Sequence, residues 1–290
     1  MTTYFSYTPA AILIAALLLV PTNVSAEVGP LMDFESYTLG TIDLQDGWKS
    51  TGPYDHEVDV TSAPSFGTKA LRISNAITSG SFGDQTFSKS LVNEAGEASA
   101  EGGGLSGGVR QPYFEAEWQF ASAVPGAEQP GLSVVASPDR GDGARMSWVQ
   151  MADTSNGLAV NFYDFQEGEF VQTSVATGLA RNVPHTIKIT MEFVAGPAND
   201  IVKVYVDGTL RHTGTSWEDY FREVEGNPTR TVDSILFRTA GPAAPATSGA
   251  GFFIDGLSLA SGPSKNGCKK GGWSLLDLFK NQGDCISSLL

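Results

Sequence analysis

Apolar and polar side chains take turns along the middle of the chain. Phe114, Ala116, Trp118 and Phe120 alternate with Glu115, Glu117 and Gln119. His185, Ile187, Ile189, Met191 and Phe193 alternate with Thr186, Lys188, Thr190 and Glu192, and Val202, Val204 and Val206 with Lys203 and Tyr205. A period of two sends successive side chains to opposite faces of an extended chain, so each run predicts a strand with one buried and one solvated face. Asp207-Gly208 breaks the last run and Thr209-Leu210-Arg211 resumes it, the signature of a hairpin. Further strands are expected at 31–35, 57–61, 69–74, 84–91, 130–136, 144–151, 157–163, 169–175, 231–239 and 251–259. Short strands at this spacing predict an all-β sandwich. The best helical stretch is Ser216–Arg222, with Ser216 as N-cap and Glu218 and Asp219 in its first turn. Segments 93–110 and 240–250, rich in Gly, Ala, Ser and Pro, are expected as flexible surface loops within one domain.

The two ends carry different information. Ala10 to Val20 is an unbroken apolar run, followed by Pro21 and by Val24-Ser25-Ala26. This is the layout of a secretory signal peptide cleaved after Ala26, although no Lys or Arg precedes the run. The run is shorter than the roughly 20 apolar residues that span a bilayer, which disfavours the alternative of an uncleaved anchor. The predicted division is a signal peptide at 1–26, a sandwich at 27–260, and a linker with tail at 261–290.

The formal net charge is −14, and the tail beyond Ser261 holds four lysines against two aspartates, so the acidity lies in the body. An acidic body is repelled by nucleic acid phosphates and by anionic lipid. Acidic polysaccharides are disfavoured too, unless a local basic patch or calcium intervenes; Arg145, Arg238 and Lys203 are the local sources. No nucleic acid or membrane partner is expected for the mature chain, which is expected as a monomer.

Lys265 to Trp273 and Phe279 to Cys285 contain both cysteines. The pattern Cys-Lys-x-Gly-Gly-Trp…Phe-Lys-Asn-Gln-Gly-x-Cys resembles a short C-terminal module of secreted bacterial proteins. In an exported chain with an even cysteine count, a Cys268–Cys285 disulfide is favoured over free thiols or a metal site. Closing a loop of about 15 residues is worth on the order of 3 kcal/mol in the chain-entropy model.

Asp33-Phe34-Glu35-Ser36-Tyr37-Thr38-Leu39-Gly40 with Gln45-Asp46-Gly47-Trp48 resembles the opening of secreted bacterial concanavalin A-like (laminin-G-like) sandwich domains. Val204–Leu210 is similar to the late hairpin of that fold, and Phe252–Leu259 to its closing strand. The resemblance implies a two-sheet antiparallel jelly-roll sandwich with first and last strands side by side. It places any ligand site on the concave face or the loop rim. It does not fix an activity. The Glu-x-Asp-x-x-Glu strand of the retaining glucanases is missing, as are the Arg-Glu-Leu, Gln-Ile-His and Tyr-Phe-Lys-x-Gly strands of the alginate lyases.

Candidate chemistry is sparse. Glu115 and Glu117, alternate residues of one strand, stand about 7 Å apart. That lies within the carboxyl spacing of an inverting glycosidase, about 6.5–9.5 Å, although a solvated strand face has the same pattern. Trp148, Gln150, Asn161, Tyr163 and Arg238 are candidates for a sugar-binding groove, with rings for stacking and amide or guanidinium groups for hydroxyls; core packing is the alternative for Trp148 and Tyr163. Glu115, Glu117 and Gln119 are expected to share that outward face with Asn161 and Tyr163. Asp139 and Asp142, in the loop Asp139–Gly143, are candidate calcium ligands, against a plain turn. No His pair has metal spacing. Ser106 lacks the strand-to-helix setting of a nucleophile elbow.

The expectation is a secreted, non-catalytic sandwich that binds a polysaccharide or cell-surface glycan, without a cofactor except possible calcium. The alternatives are a hydrolase or lyase of the same fold with divergent catalytic residues, and a structural extracellular protein.

Overall fold

The alternation of residues 113–120 is realised directly. Phe114, Ala116, Trp118 and Phe120 are fully buried, while Glu115, Glu117 and Gln119 are half-buried on the other side of the strand. The computed structural model describes residues 26–61, 63, 66–80, 82–103, 107–239, 241–264, 281 and 283. The predicted signal peptide up to Ser25, Ser106, Cys268 and Cys285 therefore lie outside the described residues.

Sixteen strands are described. The first six are β1 (Glu27–Val28), β2 (Gly40–Thr41), β3 (Lys49–Ser50), β4 (His56–Val60), β5 (Lys69–Ile73) and β6 (Gln85–Phe87). The longer central strands are β7 (Tyr113–Ser122), β8 (Ser133–Asp139), β9 (Trp148–Thr154), β10 (Gly157–Gln166) and β11 (Glu169–Leu179). The series closes with β12 (His185–Glu192), β13 (Ile201–Val206), β14 (Thr209–Gly214), β15 (Ser234–Thr239) and β16 (Phe252–Gly262). A nine-stranded sheet runs β14-β13-β12-β7-β16-β5-β4-β2, with β1 also on β16, and a seven-stranded sheet runs β11-β10-β9-β8-β15-β6-β3. Neighbouring strands are antiparallel throughout. Two facing antiparallel sheets with the first strand against the last make the jelly-roll sandwich of the concanavalin A-like type.

One core fills the space between the sheets. The nine-stranded sheet contributes the apolar positions of β7, β12 and β13; the other contributes Val149, Met151, Val160, Phe162, Ile235 and Phe237. Trp118 meets Phe237 edge-on at 6.2 Å, and Trp48 lies nearly parallel to the same ring at 6.4 Å. Such pairs add to the burial that drives the two faces together.

Three expectations need correction. Residues 31–35 form no strand: Met32 makes an isolated bridge to Leu257. β16 continues through Gly262, which pairs with Tyr113, so the sandwich outlasts Ala260. Segment 93–103 is not a surface excursion. Ala95 bridges both Gln111 and Val232, and Glu94 and Glu97 are buried beneath it. Small residues were read as flexibility where they allow close packing: a Cβ on Gly96 would come within 2.9 Å of Thr231. The helical stretch is present but displaced, as a single wide π-turn at Tyr220–Val224.

Candidate functional site

The site begins with strand β9. Trp148, Gln150, Ala152 and Thr154 are half-buried while Val149, Met151 and Asp153 are buried. The strand thus points Trp148 and Gln150 away from the core. On β10, Asn161 is paired with Gln150 and Tyr163 with Trp148. On β8 and β15, Val135 pairs with both Gln150 and Arg238. Register therefore sets Arg238, Gln150 and Asn161 in one row across the outer face of the seven-stranded sheet, with Trp148 and Tyr163 in the next. The row is bonded internally. Asn161 Nδ2 and the Tyr163 hydroxyl both donate to Gln150 Oε1, at 3.1 and 3.0 Å, and Gln150 Nε2 donates to Ser133 Oγ at 2.7 Å.

A cleft of about 660 Å³ opens at Trp148 and Tyr163. Its aromatic lining is Phe82, Trp148, Tyr163, Phe170, Trp217, Tyr220 and Phe221. Trp217 joins the walls: its ring lies 4.5 Å from Phe170 and 5.3 Å from Trp148, and its Nε1 donates to the Tyr163 carbonyl at 2.9 Å. Phe82 stands at the mouth, 54 % exposed, with a positive φ of 60°. A non-glycine residue is uncommon in that region of backbone space. Phe170, 48 % exposed on the edge strand β11, forms the opposite lip.

The polar lining is cationic. Arg140, Arg145 and Arg230 face Asp142 and Glu225. Arg140 is paired with Asp142 at 2.7 Å and Arg230 with Glu101. The Glu225 carboxylate takes a hydrogen bond from Tyr220, which raises that phenol's pKa. Burial raises the Tyr163 phenol as well, keeping it a proton donor near neutral pH.

Five of the expected ligand residues, Trp148, Gln150, Asn161, Tyr163 and Arg238, thus share one face, although only Trp148 and Tyr163 line the cleft itself. Glu115, Glu117 and Gln119 do not join them, which corrects the expectation of a shared face. β7 lies in the nine-stranded sheet, and both sheets turn their apolar positions into the same core, so their polar sides point in opposite directions. Nor are Glu115 and Glu117 held as a pair. Glu115 accepts the Tyr113 hydroxyl at 2.7 Å and lies 3.8 Å from Lys188. Glu117 opens with Gln119 into a separate acidic hollow beside Asp33, Glu35 and Asp255. Lys203 sits on β13, also in the nine-stranded sheet.

The expected calcium ligands organise their own loop. Asp139 Oδ1 accepts the amides of Gly141, Asp142 and Gly143 at 2.6, 3.1 and 3.2 Å. Asp142 is taken by Arg140 and by the Ala144 amide. Among the described residues, the carboxylates that gather are Glu97, Asp200 and Glu218, all buried, with oxygens within 4.8 Å of one another. Arg222 enters this group, bonded to Glu97 and 3.7 Å from Glu218. Amides from Asn199 and Asp200 donate to Glu218 Oε1 at 2.8 and 3.0 Å. The group is joined to the cleft through the chain around Trp217: Ser216 donates to Asp200 at 2.6 Å, and Glu218 follows Trp217 in sequence.

The sequence reading passed over Phe82, Phe170, Trp217 and Tyr220. Two signals were available. Phe82 is a lone aromatic in the glycine- and serine-rich run 79–83, and Trp217, Tyr220 and Phe221 repeat at helical spacing.

No protein-family model matches this sequence. No curated protein matches it either. Among solved structures it is similar to β-agarase A from Zobellia galactanivorans, at 13 % identity and a TM-score of 0.43, over 82 % of this chain and 93 % of that one. An alginate lyase from Pseudomonas aeruginosa aligns at 9 % identity and a TM-score of 0.41, over 72 % of this chain and 86 % of the other. The carbohydrate recognition domain of Emp46p aligns at 16 % and 0.33, over 78 % and 88 %. At such identities the likeness is one of chain course alone.

Proposed function

We propose that this is an exported, non-catalytic glycan-binding sandwich whose ligand lies in the aromatic cleft. The observation that supports it is the cleft itself. Seven aromatic residues line a space of about 660 Å³, within the usual range of about 300–1,000 Å³ for a small-ligand site. Trp148 and Tyr163 offer faces on which a sugar ring stacks, and the neighbouring Gln150 and Asn161 amides offer bonds to hydroxyls. Binding is favoured over bond cleavage because the cleft carboxylates Asp142 and Glu225 are already engaged with Arg140 and Tyr220. A general acid or base must be within reach of the substrate and poised near the working pH.

Binding to oligosaccharides measured by titration calorimetry tests the reading. Trp148→Ala is expected to weaken binding by about 2 kcal/mol, as a buried aromatic anchor does, while circular dichroism stays that of the sandwich. Unchanged affinity would remove the cleft from consideration. Release of reducing ends or unsaturated sugars from the bound glycan would transfer the protein to the hydrolases or lyases.

Export is part of the same proposal. Among the described residues, no helix is long and apolar enough to cross a membrane, and β1 opens at Glu27, the expected first residue of the mature chain. The intact mass of the exported protein is expected to match a chain beginning at Glu27, lighter by the hydrogens lost on closing Cys268–Cys285. A mass that includes Met1, or that gains on thiol alkylation without reduction, contradicts it.

A further inference from the structure

We propose that the ligand of the cleft is an acidic glycan, with a sugar carboxylate or sulfate ester lying against the guanidinium of Arg145. The inference rests on the cleft being the glycan site and adds the class of glycan.

The argument starts from how the cleft arginines are committed. Arg140 and Arg230 each have a carboxylate partner, Asp142 and Glu101. Arg145 has none: its Nε donates to the Gly143 carbonyl at 2.9 Å, and among the described residues no carboxylate stands within ion-pair distance. It is nevertheless packed against two rings. The Arg145 Cζ lies 5.4 Å from the centroid of Phe82 and 5.8 Å from that of Trp148. Ring contacts of this kind leave the remaining N–H donors for a planar or tetrahedral anion, which a guanidinium meets with two parallel bonds.

Arg238 reinforces the positive charge from the sheet below. Its Cζ is 4.3 Å from the centroid of Phe82 and 5.4 Å from that of Trp148. Two guanidiniums thus share the same two rings. Among the described residues, the carboxylate within ion-pair distance of Arg238 is Asp84 at 3.6 Å, which already accepts hydroxyls from Thr78, Ser79 and Thr239. Burial lowers the pKa of both arginines, that of Arg238 to about 10, and in Arg238 the charge of Arg145 adds to the effect. The carboxylates of Asp139, Asp142 and Asp84 act on Arg145 without an ion pair to it, and burial outweighs them. Phe82 keeps its place over the two arginines on a left-handed backbone, a conformation that is unfavourable in a non-glycine residue. All of this sits in a chain of net charge −14. Stacking of a neutral sugar calls for the rings and makes no use of a guanidinium without an ion pair. An acidic sugar uses both, its ring on Trp148 and its anion at Arg145.

The probes are an oligogalacturonate, the same oligomer with its carboxyls reduced to alcohols, and a galactan oligosaccharide in sulfated and desulfated forms. The full-length exported protein is expected to bind one acidic form about tenfold more tightly than its neutral counterpart, the gain of one bidentate charged contact. Whether the uronate or the sulfate ester shows that difference identifies the anion. Added salt narrows the difference for the unaltered protein, a readout that needs no variant. Arg145→Gln is expected to bring the ratio of acidic to neutral affinity close to one, whatever it does to the affinity of both forms. Arg145→Lys, with charge but no fork, is expected to restore the difference in part. Equal binding of acidic and neutral forms, insensitive to Arg145→Gln, overturns the acidic ligand and leaves the cleft as a glycan site. Failure of all four oligosaccharides to bind overturns both.

Discussion

The melting temperature of this protein is expected to fall as the pH rises from about 5 to about 9. The cause is the buried group joined to the cleft through the chain around Trp217. Burial pushes Asp200 up to about 6 and, with the charge of Asp200 beside it, pushes Glu218 up to about 8. Arg222 is the cation facing this pair; Glu97 and Asp219 are the other anions near it. A carboxyl whose folded pKa is raised holds a proton that the unfolded chain releases, so its contribution is intact below the ordinary carboxylate value and is lost as the pH climbs through the folded value. Asp233 and Asp255, both raised to about 6 by burial, add in the same direction. The expected loss by pH 9 is on the order of 3 kcal/mol, or about 10 °C for a domain of this size. At the acid end the trend reverses, because hydrogen bonds and ion pairs hold Asp55 and Glu94 below their ordinary values despite burial. Glu218→Gln is expected to remove the part of the loss above about pH 6, where the raised aspartates have already ionised. Its amide oxygen can keep the bonds from the Asn199 and Asp200 amides, and its NH₂ stands where the acid carries its proton. Calorimetric scans across the range decide the matter, and a melting temperature flat from neutral to alkaline pH would contradict the account.

Trp217→Ala is expected to cost about 3–5 kcal/mol, as removal of a large buried aromatic does, and to abolish glycan binding with it. Trp217 touches Phe170, Trp148 and Tyr220 at once and bonds to the main chain of β10. Its loss leaves a void under the cleft floor and frees the lip. Trp217→Phe separates the two effects. It keeps a ring in place and strands only the Tyr163 carbonyl, so about 1 kcal/mol of stability is lost and binding largely survives. Chemical denaturation gives the first quantity and calorimetric titration the second. If Trp217→Ala melts like the parent, the wall is not built as described.

The architecture was legible because β7, β12 and β13 bury one face only, and their alternation states which. What alternation cannot state is which sheet a strand joins. Glu115 and Tyr163 are both outward by the same rule, and only the pairing of β7 with β12 and β16, and of β10 with β9 and β11, puts them on opposite sides. Strand β9 shows another limit. Over residues 144–151 its pattern is irregular because the strand starts at Trp148; from there to Thr154 it alternates without fault. Phe82 and Trp217 reach the cleft from connecting segments, where no period marks a direction. Arg145 follows the same logic, since its contacts with Phe82 and its place in the cleft depend on partners distant in sequence.

The pairing of Glu27 with Ser261, at the two extremities of the described sandwich, has a geometric consequence. Chain entering and chain leaving do so at one place on the nine-stranded sheet, whereas the cleft opens on the other sheet. Cargo fused to either side hangs from a single attachment point, and the face that carries the cleft is turned away from it. Such a sandwich suits display: tethered by either terminus, it leaves its cleft clear of whatever it is tethered to.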